Sequence, residues 1–313
     1  MNGLELSKGF FEAYGRPMLE EQFPELMPYL AAGLLGSGSE VLGFDDEVSR
    51  DHDFEPGFCL FLPEEAVVDR RRAFLLERAY AKLPKEYEGF KRSLLAPVGG
   101  ARHGVLRTAE FFSEKIGSGD GILSLRQWLT VPEYSLAELS GGEIYFDSYG
   151  EVSAIRESLA HYPEEIRLKK LAGELLLMAQ AGQYNYRRCL SHGEKGAAQL
   201  SAMEFAKSAM HTIFLLNKVY QPYYKWSFRA LRNLPILSIE AELLEYLIIT
   251  DNEPAQAESK YDVIEGICAD VIDVLQDQGI TQAICGDLEK HAYSVNDQIA
   301  DGAIRNLHIL AAV

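Results

Sequence analysis

Two short apolar runs bracket a polar excursion near the start of this chain, and that arrangement leaves few folds open. Leu34-Leu35 leads into Gly36-Ser37-Gly38-Ser39. A charged stretch holding Arg50, Asp51, His52 and Asp53 follows, and a second apolar run extends from Phe58 to Leu62. Apolar runs of about four to eight residues bounded by Gly, Ser and Pro read as buried strands joined by turns. On an extended segment, residues i and i+2 face the same side, so Asp51 and Asp53 are expected to present paired carboxylates. Paired carboxylates beyond a Gly/Ser turn suit a divalent cation carrying a triphosphate. The cation takes hard oxygen ligands, and the turn offers backbone N–H groups to phosphate. The turn is not a P-loop, because GSGSEVLG lacks the Lys-Ser/Thr ending.

The rest of the first half alternates helix and strand patterns. Residues 3–27 carry apolar positions at roughly helical spacing, interrupted by Gly9, Gly15, Pro17 and Pro24, which predicts one kinked helix or two short ones. Strands are expected over 29–35, 58–62, 103–108 and 141–147, and helices over 64–82, 110–116, 132–139 and 151–161. A short helix is expected to start at 40–43, and 84–102 reads as a loop or irregular hairpin. Beyond Pro163 the character changes: helical spacing covers roughly 164–182, 194–219, 223–232, 236–250, 255–278 and 286–300. The expected fold is therefore α+β, with a mixed sheet and flanking helices over residues 1–160, then a helical bundle over 161–313 that completes a cleft.

Charge and cysteine usage narrow the classes of function. With Asp+Glu 47 against Lys+Arg 30, the formal net charge is -17. Such a chain repels polyanions on average, which disfavours broad nucleic-acid binding while suiting a cationic small molecule. Cys59, Cys189, Cys268 and Cys285 are scattered without CxxC spacing, so they read as apolar fillers in a reducing compartment. No leader pattern and no run of about eighteen apolar residues stands in the chain. A cytoplasmic protein with no membrane partner is the expectation.

The spacing from Ser39 (or Ser37) to Asp51-His52-Asp53 resembles the nucleotidyltransferase superfamily that includes aminoglycoside and lincosamide nucleotidyltransferases. Residues 214–226 (FLLNKVYQPYYKW) are similar to the helical-domain segment of adenylyltransferases of that kind. The segments RDHDF, GEIYFD with Tyr162-Pro163, and PYYKW resemble an uncharacterised bacterial group of DUF4037-type proteins within the superfamily. The resemblance implies Mg2+ on Asp51 and Asp53 and ATP or another NTP as substrate. It places the phosphates against Gly36, Ser37, Gly38 and Ser39, with Lys225 reaching the triphosphate. The implied reaction moves a nucleoside monophosphate, AMP from ATP foremost, to a hydroxyl or amine of an unidentified acceptor. The alternative is a catalytically silent nucleotide-binding or protein-interaction module.

A third acidic group is expected for such chemistry, and the strand at 103–108 supplies none; Glu110, Glu143 and Asp147 are the candidates for a catalytic base. Asp147 precedes Ser-Tyr-Gly, where Asp also serves as a turn former. Arg50 either meets phosphate or pairs with Asp46 or Glu47. Lys225 either meets phosphate or is a solvated lysine among aromatics. Arg187, Arg188 and His192 lie in QYNYRRCLSHGEKG, expected as a polar loop that either edges a basic pocket for nucleotide or acceptor or is simply solvated. No spacing of residues bears on oligomeric state.

Overall fold

The computed structural model describes residues 1–48, 54–92 and 103–313. Two units divide the chain: Met1–Gln127 with Val131–Ala160, and Trp128–Thr130 with His161–Val313.

In the first unit the opening amphipathic stretch forms α1 (Gly3–Phe10) and α2 (Arg16–Gln22), joined by a π-helical turn at Phe11–Gly15. A capping box starts α1: the Asn2 side chain accepts from the Glu5 amide, and the Glu5 carboxylate accepts from the Asn2 amide. The π turn absorbs an extra residue, so Phe10, Phe11, Met18 and Leu19 all stay on the buried face. Pro17 sits in the first turn of α2, where an amide donor is not needed.

The strands are β1 (Ala31–Leu34), β2 (Cys59–Leu62), β3 (Glu86–Tyr87), β4 (Phe90–Lys91), β5 (Gly104–Arg107) and β6 (Glu143–Asp147). Four of them build a mixed sheet in the order β5-β2-β1-β6: β1 runs antiparallel to β2 and to β6, while β2 and β5 are parallel. Every residue of β1 and β2 is buried, which is why Ala-Ala-Gly-Leu and Cys-Leu-Phe-Leu show no polar alternation. The β1–β6 register shifts between Ala32 and Gly33, and a Cβ on Gly33 would lie 2.5 Å from the Glu143 carbonyl. Only glycine lets the two backbones approach so closely at that bulge.

The helices between and after these strands are α3 (Arg70–Ala81), α4 (Thr108–Ile116), α5 (Leu125–Thr130), α6 (Glu133–Ser140) and α7 (Glu151–Ser158), of which α3 and α4 pack on β5 and α7 on β6. The helix expected from residue 64 begins at Arg70, because the Asp69 side chain accepts from the Arg72 amide at 2.9 Å and caps it there. Tyr80 of α3 is buried; its hydroxyl donates to the Phe58 carbonyl at 2.8 Å and accepts from the Phe58 amide at 3.1 Å. Burial pushes its pKa up. The core beneath combines Phe10, Phe11, Leu19, Leu30, Phe58, Leu60 and Leu76, with Phe11 and Phe58 edge-on at 5.1 Å. The expected loop or hairpin at 84–102 contains the small β3–β4 ribbon, turned by Glu88 (φ 49) and Gly89 (φ 82).

The second unit strings together α8 (Glu164–Met178), a π-helical stretch (Ala179–Tyr186), α9 (Arg187–Ser191), α10 (Lys195–Leu216), α11 (Tyr224–Leu231), α12 (Glu240–Ile249), α13 (Pro254–Asp277), α14 (Leu288–Asp297) and α15 (Gly302–Arg305). One expectation is corrected: most of the segment holding Arg187 and Arg188 is helical rather than a loop. It continues the helix expected over 164–182, whose buried residues Ala179, Ala181 and Gly182 are followed by buried Tyr186. Gly182 lets the Phe205 ring of α10 come closer than any side chain would permit. Lys169 of α8 is fully buried, yet its ammonium donates to the Asn296 side chain (2.9 Å) and to the carbonyls of Arg305 (3.2 Å) and Leu307 (2.7 Å). The C-terminal chain is thereby tied to α8. The chain is α+β with a helical part, as expected. Among the described residues no helix is long and apolar enough to cross a membrane.

Candidate functional site

The turn at 36–39 follows directly on the buried strand β1. Gly36 (φ +99) and Gly38 (φ +151) hold backbone conformations that side-chain-bearing residues rarely adopt. The Gly36 amide donates to the Glu138 carbonyl at 3.4 Å, and a side chain at Gly38 would run into the Glu40 carboxylate. The Ser39 carbonyl accepts from the Phe44 amide at 2.8 Å; residues 40–43 form a turn rather than the start of a helix.

Ser37 sits in a small polar cluster that local sequence does not reveal. Its hydroxyl donates to Glu138 Oε2 at 2.9 Å and accepts from Lys115 Nζ at 2.6 Å; Lys115 also donates to Glu138 Oε2 at 2.8 Å. Lys115 comes from the last turn of α4, where a cation complements the helix dipole, and Glu138 from α6. Both side chains are partly shielded, at 21% and 15% exposure. Phe111, one helical turn before Lys115, lies against Gly36 and seats α4 on the turn.

Antiparallel pairing decides which acidic candidates approach the turn. Glu143 pairs with Leu34, beside the turn, whereas Asp147 pairs with Ala31 at the other end of β1. Three residues of strand separate these ends by about 10 Å. Glu143 is half-exposed and forms an ion pair with Lys8 of α1. Asp147 accepts from the Gly150 amide (Oδ1, 2.7 Å) and the Ser153 amide (Oδ2, 2.7 Å), so both oxygens hold the start of α7. The register sets the Glu143 backbone at the end of β1 that leads into the turn, with its carboxylate on Lys8, and sets Asp147 at the other end. Glu110 lies along α4, with Glu77, Glu114 and Arg107 around a cavity of about 200 Å³.

β1 leaves the sheet and β2 enters it at the same end, since Gly33 pairs with Cys59. Arg50, Asp51 and Asp53 fall between these strands in sequence and lie outside the described residues. Among the described residues, no group of three or more His, Cys, Asp or Glu side chains is arranged to hold a metal ion.

The other candidates belong to the second unit. Lys225 is the second residue of α11, exposed, with its ammonium 4.9 Å from the Trp226 ring centre. Arg187 opens α9, pairs with Glu258 at 2.6 Å and lies 3.7 Å over the Tyr261 ring, so it ties α9 to α13. Trp128, Tyr162 and Tyr220 form an aromatic chain with ring centres 5.9 Å and 4.8 Å apart, inside which Lys170 faces the Tyr162 ring.

That aromatic chain falls within the part of the sequence that finds a family. Residues 128–227 match the model of a family described as a domain of unknown function (DUF4037). The match supports kinship with this uncharacterised family, in line with the resemblance of the GEIYFD, Tyr162-Pro163 and PYYKW segments. No curated protein matches the chain.

Proposed function

We propose that this chain is a Mg2+-dependent nucleotidyltransferase that moves a nucleoside monophosphate, AMP from ATP foremost, to a hydroxyl or amine of a small acceptor. The observation that supports the reading is the turn at the end of β1. Two glycines with positive φ open the backbone there, and the Ser37 hydroxyl and Lys115 ammonium converge on one point. Such convergence of a hydroxyl and an ammonium beside a glycine turn suits a phosphate oxygen.

In this reading Asp51 and Asp53 hold Mg2+, which supplies positive charge to offset the phosphates. The turn orients the triphosphate. The acceptor oxygen or nitrogen bonds to the α-phosphorus, the bond to the leaving oxygen breaks, and pyrophosphate departs with its electron pair. The acceptor's proton goes to a carboxylate; Glu143 is the candidate at the turn, once parted from Lys8. The net charge of -17 favours a cationic acceptor.

The test is pyrophosphate release from ATP, GTP, CTP and UTP across an acceptor panel, with mass spectrometry to locate the added nucleotide. Asp51→Asn with Asp53→Asn is expected to lower ATP·Mg affinity at least about 100-fold while leaving the fold intact. Unchanged affinity by calorimetry overturns the reading. The Lys8–Glu143 pair favours a second reading, a silent nucleotide-binding module, which would bind ATP·Mg without releasing pyrophosphate with any acceptor.

A further inference from the structure

The Ser37–Lys115–Glu138 cluster is arranged around one oxygen. Glu138 Oε2 receives the Ser37 hydroxyl at 2.9 Å and the Lys115 ammonium at 2.8 Å. Two donors of this kind on one anionic oxygen, beside a glycine turn, reproduce the environment of a bound phosphate oxygen. The main chain of Glu138 is engaged as well, since its carbonyl accepts from the Gly36 amide. One residue of α6 therefore occupies both a backbone donor of the turn and the two side-chain donors beside it. Its carboxylate is 15% exposed and Lys115 21%, so solvent reaches the cluster without opening the core.

We propose that Glu138 is a resident stand-in for phosphate: its carboxylate occupies the anion seat formed by Ser37 and Lys115, and a triphosphate binds by displacing it. Lys115 is then the lysine of the first unit that takes a phosphate oxygen. This rests on the nucleotide reading above and adds to it a ligand contact and an internal competitor. An ion pair with a purely structural role makes a different prediction, because its removal changes stability and leaves anion affinity alone.

The competition has a calculable consequence. If the seat is free only a fraction of the time, apparent affinity falls by that fraction, and weakening the competitor restores it. Glu138→Gln keeps an acceptor for the Ser37 hydroxyl but removes the charge that holds Lys115. It is expected to tighten inorganic tripolyphosphate binding about five- to tenfold. Lys115→Met is expected to weaken it at least about tenfold, and Lys115→Arg to recover most of that loss.

The experiment is calorimetric titration of the full chain and these three variants with tripolyphosphate without metal, and separately with ATP·Mg, with thermal melts confirming that each is folded. Binding that tightens in Glu138→Gln and fails in Lys115→Met supports the proposal, including the case where only Glu138→Gln binds measurably. Equal affinity across all variants, or no binding by any of them, overturns it. The metal-free probe does not call on Asp51 or Asp53. Loss of the tripolyphosphate effect with ATP·Mg binding still sensitive to those aspartates therefore removes this proposal alone. The reverse pattern removes the nucleotidyltransferase reading and leaves an anion seat.

Discussion

Lys115 and Lys169 carry the same ammonium, and the two units handle it in opposite ways. Lys115 stands at a turn, partly exposed, sharing a carboxylate with a serine hydroxyl. Lys169 is sealed inside the helical unit and meets only neutral oxygens, two of them main-chain carbonyls. Lys260 follows the second pattern, buried against the Gln199 side chain and the Thr250 carbonyl. A cation that can exchange its partner for a ligand must keep a route to solvent and an anionic partner of comparable strength. A cation that closes off carbonyl groups needs neither. The contrast teaches that burial of charge marks structure in the second unit, while shared, half-shielded charge marks the candidate site in the first.

The sharpest way to break this contrast is Lys169→Met. Three acceptors lose their donor, so denaturant unfolding of the second unit should show a loss of about 3 kcal/mol. Tripolyphosphate affinity should be unchanged. A loss of less than about 0.5 kcal/mol would mean that the buried ammonium contributes nothing net.

A second break uses pH. Burial, and then the neighbouring Asp270 carboxyl, raise the Glu240 pKa to about 7. The folded state therefore holds a proton that the unfolded chain has released. The associated stability is present below the ordinary carboxylate range and is lost as pH rises through about 7. Lys260 has the opposite sign of shift: burial lowers its pKa to about 8. Its contribution is present above the ordinary lysine range and is lost as pH falls through about 8. Thermal midpoints measured from pH 5 to pH 10 should fall across the first window, and Glu240→Gln should flatten that fall. Lys260→Met should remove the rise across the second. Identical slopes in the variants and the parent would show that other groups set the profile.

Two smaller effects compare the ends of one strand and the outside of one helix. Asp147→Asn should cost about 1 kcal/mol, since a carboxylate capping α7 becomes an amide, and should leave pyrophosphate release unaltered. Glu143→Gln should lower that release with little change in melting. If Asp147→Asn abolishes release instead, the base lies at the far end of β1. Arg187→Ala should cost about 0.5–1 kcal/mol through its exposed pairing with Glu258 and its stacking on Tyr261. ATP·Mg affinity should stay constant, and a tenfold loss would restore Arg187 as a ligand contact.

Much of the architecture was legible residue by residue. Ala31–Leu34 and Cys59–Leu62 stand out because apolar runs between glycines, serines and a proline have few other uses. The long helices α10 and α13 begin and end within about three residues of the expected spans, because sustained periodicity overrides single polar residues. The segment before α10 was misjudged as a loop because Arg, Asn and Gln dominate its composition. Within 183–196 only Tyr186 is buried, so the helical turns there carry almost no hydrophobic signal. The start of α3 moved for a local reason, the Asp69 cap, which a broader apolar pattern had obscured.

By itself, the order of residues determined the α+β class, the glycine turn after β1 and the Asp-x-Asp that follows it. Each of these depends on neighbours within a few positions, where backbone conformation and side-chain period act directly. Only the tertiary structure decided that Glu143 rather than Asp147 stands beside the turn, through a register set by the Gly33 bulge. It alone decided that Lys115 and Glu138, 78 and 101 residues from Ser37, share its hydroxyl. Those distances are bridged by the packing of α4 on β5 and of α6 on α4. Packing of that kind places side chains through space, with no trace in the spacing of residues along the chain.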